Sequence, residues 1–261
     1  MHSSLFKKHF NERYFTLPTD DIDFSSSSSS CPSTPPMSAT WMKPPEIALC
    51  LMTDAHRKEV YDLVVDTFFR DEPLNKCLAF EIPHEPIQFT ELIVSLAIQD
   101  QCSFVAVDVQ TEKVIGVILN IIKQRLPYSS SEDNDQFNIE KFHSEKLRYI
   151  LTVLKDVHQN IDLFDQLKTN RLLHVVIIAI NAHYRGLRLT EKLIHASIQH
   201  AKTVLHLTGA FSEATSLYSS KAFRKQGFQI YDEIIYAKYD QKRLASLAGE
   251  HDRCQLLAKT L

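Results

Sequence analysis

One segment of the 261-residue chain joins an apolar run to a turn and a helix in a way that can bind an anion. Residues 178–193 read IAINAHYRGLRLTEKL. A buried strand is expected to end near Ile180, and a helix is expected to begin near Leu189. The amides of such a turn and of the first helical turn lack partners, so they can donate to an anion. An ordinary strand-to-helix connection explains the same pattern, and the residues alone leave both interpretations open.

Other side chains that can move protons lie far from this segment in the sequence. Glu72 follows a predicted helix, where a carboxylate can act as a base. Thr215 and Ser219 stand four residues apart in another predicted helix, so their hydroxyls are expected to share one face. Taken alone, Glu72 can equally be a solvated loop acid, and such hydroxyls usually bond to the backbone. His174 and His206 can relay protons, but histidines in such places are more often structural, and we leave them outside the predicted catalytic set.

The elements that must position these groups form an alternating series of strands and helices. Apolar periodicity predicts the order β-α-α-β-β-α-β-α-β-α-β. The strands are expected at 47–52, 103–109, 114–122, 175–180, 205–211 and 229–239, and the two helices nearest the candidate groups at 189–203 and 215–225. This order predicts a mixed α/β (α+β) fold, in which a central twisted mixed sheet carries helices on both faces.

Composition divides the chain into three parts. Residues 1–43 contain the run Ser25–Ser30 and several prolines, which predicts a disordered segment with too little apolar surface to fold. Residues 44–240 hold the predicted strands and helices of one domain. Residues 241–261 are expected to form a surface helix or a frayed tail. Within the domain, the polar stretch 127–138 is expected to be a loop.

The same composition argues against several classes of function. A net charge of −3 favours no basic face for nucleic acid, and no apolar run approaches the ~20 residues of a membrane helix. The five cysteines are scattered, and neither they nor the twelve histidines show metal-site spacing. The N-terminus lacks the apolar stretch of a signal peptide. We therefore expect a cytoplasmic protein with no structural metal and no nucleic-acid or membrane partner.

The anion-binding candidate resembles a known motif. Arg185-Gly186-Leu187-Arg188-Leu189-Thr190 is similar to the acetyl-CoA pyrophosphate loop of the GNAT superfamily of N-acetyltransferases, R/Q-x-x-G-x-G/A. The first position matches, but Arg188 and Thr190 replace two small residues, where the backbone must come close to the pyrophosphate. Arg188 either obstructs this approach or compensates with its charge.

The resemblance also implies which residues hold the cofactor. The amides from Leu187 to Thr190 are expected to bind the pyrophosphate, aided by Arg185. Ile180 and Ala182 are expected to pair with the pantetheine arm in a split between two strands. Asn181 departs from the family, because the insect-type pattern often has Asp there.

Two further segments resemble the invertebrate arylalkylamine (dopamine-type) acetyltransferases of that superfamily. FFRDEPLN at 68–75 is similar to their FFxDEPLN segment, whose Glu is the general base and corresponds to Glu72. TSLYSSKAFRKQGF at 215–228 is similar to the helix before their last strand, which puts Thr215 and Ser219 at positions that act near the cofactor sulfur. Phe223 stands where many other GNAT enzymes carry a tyrosine acid.

Together the three segments imply a GNAT-like fold and an acetyl-CoA-dependent N-acetyltransferase. The implied substrate is a small primary amine, most of all an arylalkylamine, acetylated directly in a ternary complex. Glu72 is expected to deprotonate the amine, and Ser219 or Thr215 to help discharge the thiolate. Two alternatives stay open. Arg188 and Thr190 favour a non-catalytic acyl-CoA-binding protein, and a protein lysine acetyltransferase would keep the cofactor and change the substrate.

Overall fold

The structure is a computed structural model that describes residues 45–125 and 138–261. The predicted disordered segment 1–43 and nearly all of the predicted loop 127–138 lie outside the described residues. Within residues 45–125 and 138–261, no helix has both the length and the apolar character needed to cross a membrane. The same residues contain no group of three or more His, Cys, Asp or Glu side chains arranged to hold a metal ion.

One sheet of seven strands organises the molecule, in the order β1-β2-β3-β4-β5-β7-β6. Neighbouring strands are antiparallel except β4 and β5, which are parallel. The strands span Ile47–Leu51 (β1), Phe104–Asp108 (β2), Lys113–Gln124 (β3), Arg171–Ile180 (β4), Gly209–Ala214 (β5), Gln229–Ile235 (β6) and Arg253–Thr260 (β7). This mixed sheet confirms the fold class predicted from the order of elements.

Helices cover both faces of the sheet because β3 is apolar on both sides. On β3, Val117 and Leu119 pack with the helices at Arg57–Leu63 and Ile87–Asp100, whereas Ile118 faces the opposite way and packs with the helix at Leu189–Thr203. The helices span Arg57–Leu63 (α1), Phe69–Asp71 (α2), Pro73–Cys77 (α3), Ile87–Asp100 (α4), Glu145–Asp156 (α5), Leu163–Gln166 (α6), Leu189–Thr203 (α7), Leu217–Lys225 (α8) and Tyr236–Tyr239 (α9). A π-helical turn at Val64–Phe68 joins α1 to α2.

The parallel strands β4 and β5 separate after two paired residues. Leu173 pairs with Ala210 and His174 with Phe211, and the ladder between the two strands ends there. Ser212 Oγ donates to the Val175 carbonyl at 2.9 Å where the strands part. On its other side β4 stays paired with β3 as far as Ile180, with one residue bulged out of register. The second half of β4 therefore has backbone groups without a strand partner on the β5 side.

The C-terminal segment is a strand, so the expectation of a surface helix or frayed tail at 241–261 is wrong. β7 lies between β5 and β6 and pairs antiparallel with both. Its residues 254–258 are buried, and the Gln255 side chain bonds to Ser220 and Glu233. The short run RCQLLAKT follows no local pattern that marks it as the missing partner of two earlier strands. The folded domain therefore includes residues up to Thr260.

Candidate active site

The gap between β4 and β5 opens into a cavity of about 1430 Å³. This volume exceeds the roughly 300–1,000 Å³ of a site for one small ligand, so two ligands can share it. The predicted site residues in its wall are Glu72, Thr215, Ser219, Ile180, Arg185, Gly186, Arg188, Leu189 and Thr190. Two others do not contribute to the wall: Ala182 lies in the turn after β4, and Leu187 is 36% exposed to solvent.

The anion-binding candidate has the expected strand–turn–helix form. A 3-10 turn at Ala182–Tyr184 follows β4, and its first amides are capped by Asn181, which accepts from the His183 amide at 3.0 Å. The Tyr184 hydroxyl donates to Asp108, at the end of β2, at 2.6 Å. The turn is therefore anchored to the sheet, and α7 begins from a fixed point.

Two residues of the loop have left-handed backbone conformations. Gly186 has φ +85°, and Arg188, directly before α7, has φ +57° and ψ +25°. A left-handed conformation suits glycine, whereas any other residue gives up roughly 1–2 kcal/mol to adopt it. A glycine at position 188, as in the family motif, would adopt this conformation without that cost. Arg188 adopts it at that cost. A Cβ added at Gly186 would meet no atom within 4 Å.

The cations of the loop are paired with carboxylates. Glu191, in the first turn of α7, accepts from Lys225 Nζ at 2.8 Å and from Arg188 Nη2 at 2.7 Å. Lys225 and then Arg188 hold the pKa of Glu191 below its ordinary value. Arg185 forms an ion pair with Asp71, the residue before Glu72. The Arg188 guanidinium is thus directed onto α7, where the two cations and the one carboxylate together leave one net positive charge beside the helix N-terminus.

Glu72 stands between α2 and α3 because Pro73 shapes the chain there. A residue before proline is pushed to an extended conformation, and Glu72 has φ −65° and ψ 133°. Pro73 then fits the first turn of α3, where its missing N–H costs nothing. Glu72 caps this helix, since its Oε2 accepts from the Asn75 amide at 2.7 Å. The DEPLN segment is therefore a helix start that fixes one carboxylate oxygen.

The other oxygen of Glu72 is left for a ligand. Glu72 is only 9% exposed, and its Oε1 has no hydrogen-bond partner among the described residues. Burial raises the pKa of Glu72 above its ordinary value of 4.5, although the Asn75 amide and the nearby Thr215 hydroxyl act in the opposite direction. A buried carboxylate with a raised pKa and a free oxygen in a cavity wall is suited to accept a proton.

The hydroxyls of Thr215 and Ser219 both contribute to the cavity wall, but they do not lie on one helix as predicted. α8 begins at Leu217, so Thr215 lies before the helix and does not share a helical face with Ser219. Ser216 is the N-cap, and its Oγ accepts from the Ser219 amide at 3.1 Å. The Ser219 hydroxyl donates to the Ser216 carbonyl at 3.0 Å. The strong capping preference of Ser216 therefore starts the helix two residues later than apolar periodicity predicts.

Sequence reasoning missed that Glu213 joins His174 and His158 in a buried cluster in the same wall. Glu213, on β5, contacts His158 Nε2 through Oε1 and His174 Nε2 through Oε2, each at 2.6 Å. Burial acts to raise the pKa of Glu213, but His174 and His158 together hold it well below its usual range. His158 lies in the turn that follows α5, two residues after the helix ends. His206, which like His174 stands outside the predicted catalytic set, does not contribute to the cavity wall.

Aromatic side chains line another part of the cavity. Phe68 and Phe69, at the π-helical turn, contact each other edge to face with ring centroids 5.2 Å apart, and Phe89 packs on Phe69. All three contribute to the wall of the cavity. Phe69 also stacks on Phe80, and Phe89 contacts Phe142, so the three rings belong to a packed aromatic cluster.

Comparisons with known proteins relate the fold to one group of enzymes. No protein-family model matches the chain, and no curated protein matches it in sequence. Among solved structures, it is similar to arylalkylamine N-acetyltransferase 2 from Aedes aegypti, with a TM-score of 0.73 and 23% identity over 82% of this chain and 98% of that one. A mosquito arylalkylamine N-acetyltransferase like 5b gives a TM-score of 0.70, with 20% identity over 83% and 100%.

A polyamine N-acetyltransferase from Drosophila melanogaster has a TM-score of 0.67 and 17% identity, over 83% of this chain and 100% of that one. The similarity spans nearly all of each of these structures. Because the sequence identities are this low, the similarity shows a shared fold and nothing more. The chain therefore has the GNAT fold that the arylalkylamine N-acetyltransferases share.

Proposed function

We propose that this protein is an acetyl-CoA-dependent N-acetyltransferase of a small primary amine, most of all an arylalkylamine. The observation that carries the proposal is one cavity that joins an anion-binding loop to a buried carboxylate with a free oxygen. A loop of this kind suits the pyrophosphate of a CoA thioester. A buried base suits an amine, because only the neutral amine attacks a thioester and most of it is protonated at neutral pH.

The walls of the cavity fit acetyl-CoA. The amides around Gly186 and Arg188 and the start of α7 supply donors for a pyrophosphate, and Arg185 lies beside them. The free edge of β4 as far as Ile180 supplies donors and acceptors for the amides of a pantetheine arm. Acetyl-CoA itself supplies an activated acetyl group as a thioester. The N–H groups of the unpaired edge can also stabilise negative charge on the attacked carbonyl oxygen.

Glu72 and the two hydroxyls divide the proton transfers between them. Glu72 Oε1 accepts a proton from the incoming ammonium, which leaves a neutral nitrogen to attack the acetyl carbon. After the attack the nitrogen carries one more surplus proton, which Ser219 or Thr215 can pass to the sulfur as the carbon–sulfur bond breaks, so that CoA leaves as a thiol. The phenyl rings of Phe68, Phe69 and Phe89 favour a substrate with an aromatic group next to the amine chain. No covalent enzyme intermediate is needed.

Two measurements test this proposal. Isothermal titration with acetyl-CoA measures binding, and release of CoA in the presence of arylalkylamines, polyamines or lysine peptides measures turnover. We expect micromolar or tighter binding and turnover with arylalkylamines above the other amines. Binding without turnover on any amine would instead support a non-catalytic acyl-CoA-binding protein. Turnover of lysine peptides alone would support a protein lysine acetyltransferase, and the absence of binding would overturn the proposal.

A further inference from the structure

The cluster of His158, Glu213 and His174 has no part in the transfer described above, yet it lies in the wall of the same cavity. An ionised carboxylate can only accept hydrogen bonds, so each Nε2 that contacts Glu213 carries a hydrogen. The His174 ring is held flat against Phe211, with centroids 4.3 Å apart and planes 11° apart. Both the tautomer and the orientation of His174 are therefore fixed.

This tautomer leaves a hydrogen-bond acceptor at the other ring nitrogen. Burial lowers the pKa of His174 below its ordinary value of 6.5 and so favours the neutral ring, although Glu213 acts in the opposite direction. In a neutral imidazole with hydrogen on Nε2, Nδ1 offers a lone pair. His174 is only 9% exposed, and among the described residues Nδ1 has no hydrogen-bond partner. An unpaired buried acceptor is costly unless a ligand satisfies it.

The cluster lies within one small molecule's length of Glu72. Glu213 stands two residues before Thr215, which corresponds to roughly 7 Å along an extended chain, and Thr215 lies beside Glu72. Both carboxylates also act electrostatically on the same buried thiol, that of Cys254. The α5 side of the wall is apolar at Ile150 and Leu154 and becomes polar at His158. A two-carbon aminoethyl chain with one aromatic ring matches this distance and this change of polarity.

We propose that His174, held by Glu213 and His158, determines the amine specificity by accepting a hydrogen bond from a hydroxyl group at the far end of the substrate from its reacting nitrogen. This inference rests on the proposed N-acetyltransferase function. A second ammonium fits the position less well, because Glu213 already has two N–H partners and Lys123 adds positive charge near His174. A neutral hydroxyl needs only the one acceptor that Nδ1 provides.

Tyramine and phenethylamine test the proposal, since they differ only in a ring hydroxyl. In the parent protein, kcat/KM for tyramine should exceed that for phenethylamine by about 3- to 30-fold, the range expected for one neutral hydrogen bond and a rejected analogue. His174→Phe keeps a ring over Phe211 but removes the acceptor, so the ratio should fall to about one, mainly through loss of tyramine turnover. His195→Phe, at an exposed position of α7, should leave the ratio unchanged.

Glu213→Gln provides a second variant if His174→Phe fails to fold. The amide can donate to Nε2, which would move the hydrogen of His174 to Nδ1 and replace the acceptor by a donor, so the preference for tyramine should again fall. A parent ratio near one, or a ratio that survives both substitutions, overturns the inference and leaves the proposed function intact. An equal loss of kcat for both amines would assign His174 to the chemical step and also overturn it. No turnover of either amine would contradict the proposed function itself, and with it the inference.

Discussion

At the scale of single residues, Glu72 is expected to support turnover and to lower the stability of the folded protein at neutral pH. Glu72→Gln keeps an oxygen for the Asn75 amide and removes the base, so turnover at neutral pH should fall by roughly 10²–10⁴-fold with acetyl-CoA binding unchanged. The loss should shrink at high pH, where free amine is abundant. Steady-state rates across pH check this, with Glu91→Gln, an exposed position on α4, as the control. Turnover within a few-fold of the parent would show that Glu72 is only a helix cap.

The same substitution has a predictable effect on stability. The pKa of Glu72 is raised in the folded state, so the folded protein binds this proton more tightly than the unfolded chain does. The parent therefore loses stability as the pH rises from the ordinary glutamate pKa of 4.5 through the raised value. Glutamine does not ionise, so the melting temperature of the variant should exceed that of the parent at neutral pH. The two should converge in acid, and a lower melting temperature for the variant at neutral pH would contradict the prediction.

At the scale of elements, a substitution at the start of α7 tests whether Arg188 obstructs the approach of the backbone to the pyrophosphate or compensates with its charge. Arg188→Gly relieves a left-handed arginine but leaves Glu191 with only Lys225 beside the anion site. Acetyl-CoA should therefore bind equally well or a few-fold more weakly, with a shallower dependence on salt because one cation is gone. Titration at low and high ionic strength measures both. Lys202→Ala, at the far end of α7, is the control for loss of an exposed cation.

A double substitution gives the opposite result if the loop is obstructed. Arg188→Gly with Thr190→Ala restores both small positions of the family motif. A gain of tenfold or more in affinity, about 1.4 kcal/mol, would show that the side chains hold the backbone away from the pyrophosphate. If the parent binds no acetyl-CoA and the double variant does, the parent protein is a non-catalytic relative of the acetyltransferases.

At the scale of the whole molecule, β7 makes the C-terminus indispensable. Removal of residues 253–261 would leave β5 and β6 without their common partner and expose the apolar surface that Cys254, Leu256 and Leu257 bury. We expect this truncated chain to lose its cooperative thermal transition, as followed by circular dichroism. Removal of residues 1–43, which composition predicts to be disordered, is the contrasting truncation and should leave the melting temperature unchanged. A cooperative transition near that of the parent after loss of β7 would contradict the prediction.

Features that depend on residues close together in the sequence were predicted, whereas features that depend on contacts between distant residues were not. The hairpin of β2 and β3, the strand–turn–helix loop and Glu72 each follow from residues close together in sequence, so pattern and resemblance identify them. β7 was missed because its role depends on a gap between strands that only the assembled sheet creates. The Glu213 cluster was missed because its members come from the turn after α5 and from two strands that meet through tertiary packing. Thr215 was misplaced because Ser216 competes as the helix cap.

The π-helical turn at Val64–Phe68 sets the direction in which Asp71 and Glu72 face, because it determines the rotation of the chain that follows it. Such a turn accommodates one residue more than a regular α-helical turn, and it often occurs at functional sites. Each residue turns a helix by about 100°, from 3.6 residues per turn. If these five residues formed a regular α-helix instead, the extra residue would rotate everything after it by that angle. Asp71 and Glu72 would then leave the cavity although no residue of the DEPLN segment had changed, so the π-helical form of this turn is as much a determinant of the site as the identity of its carboxylate.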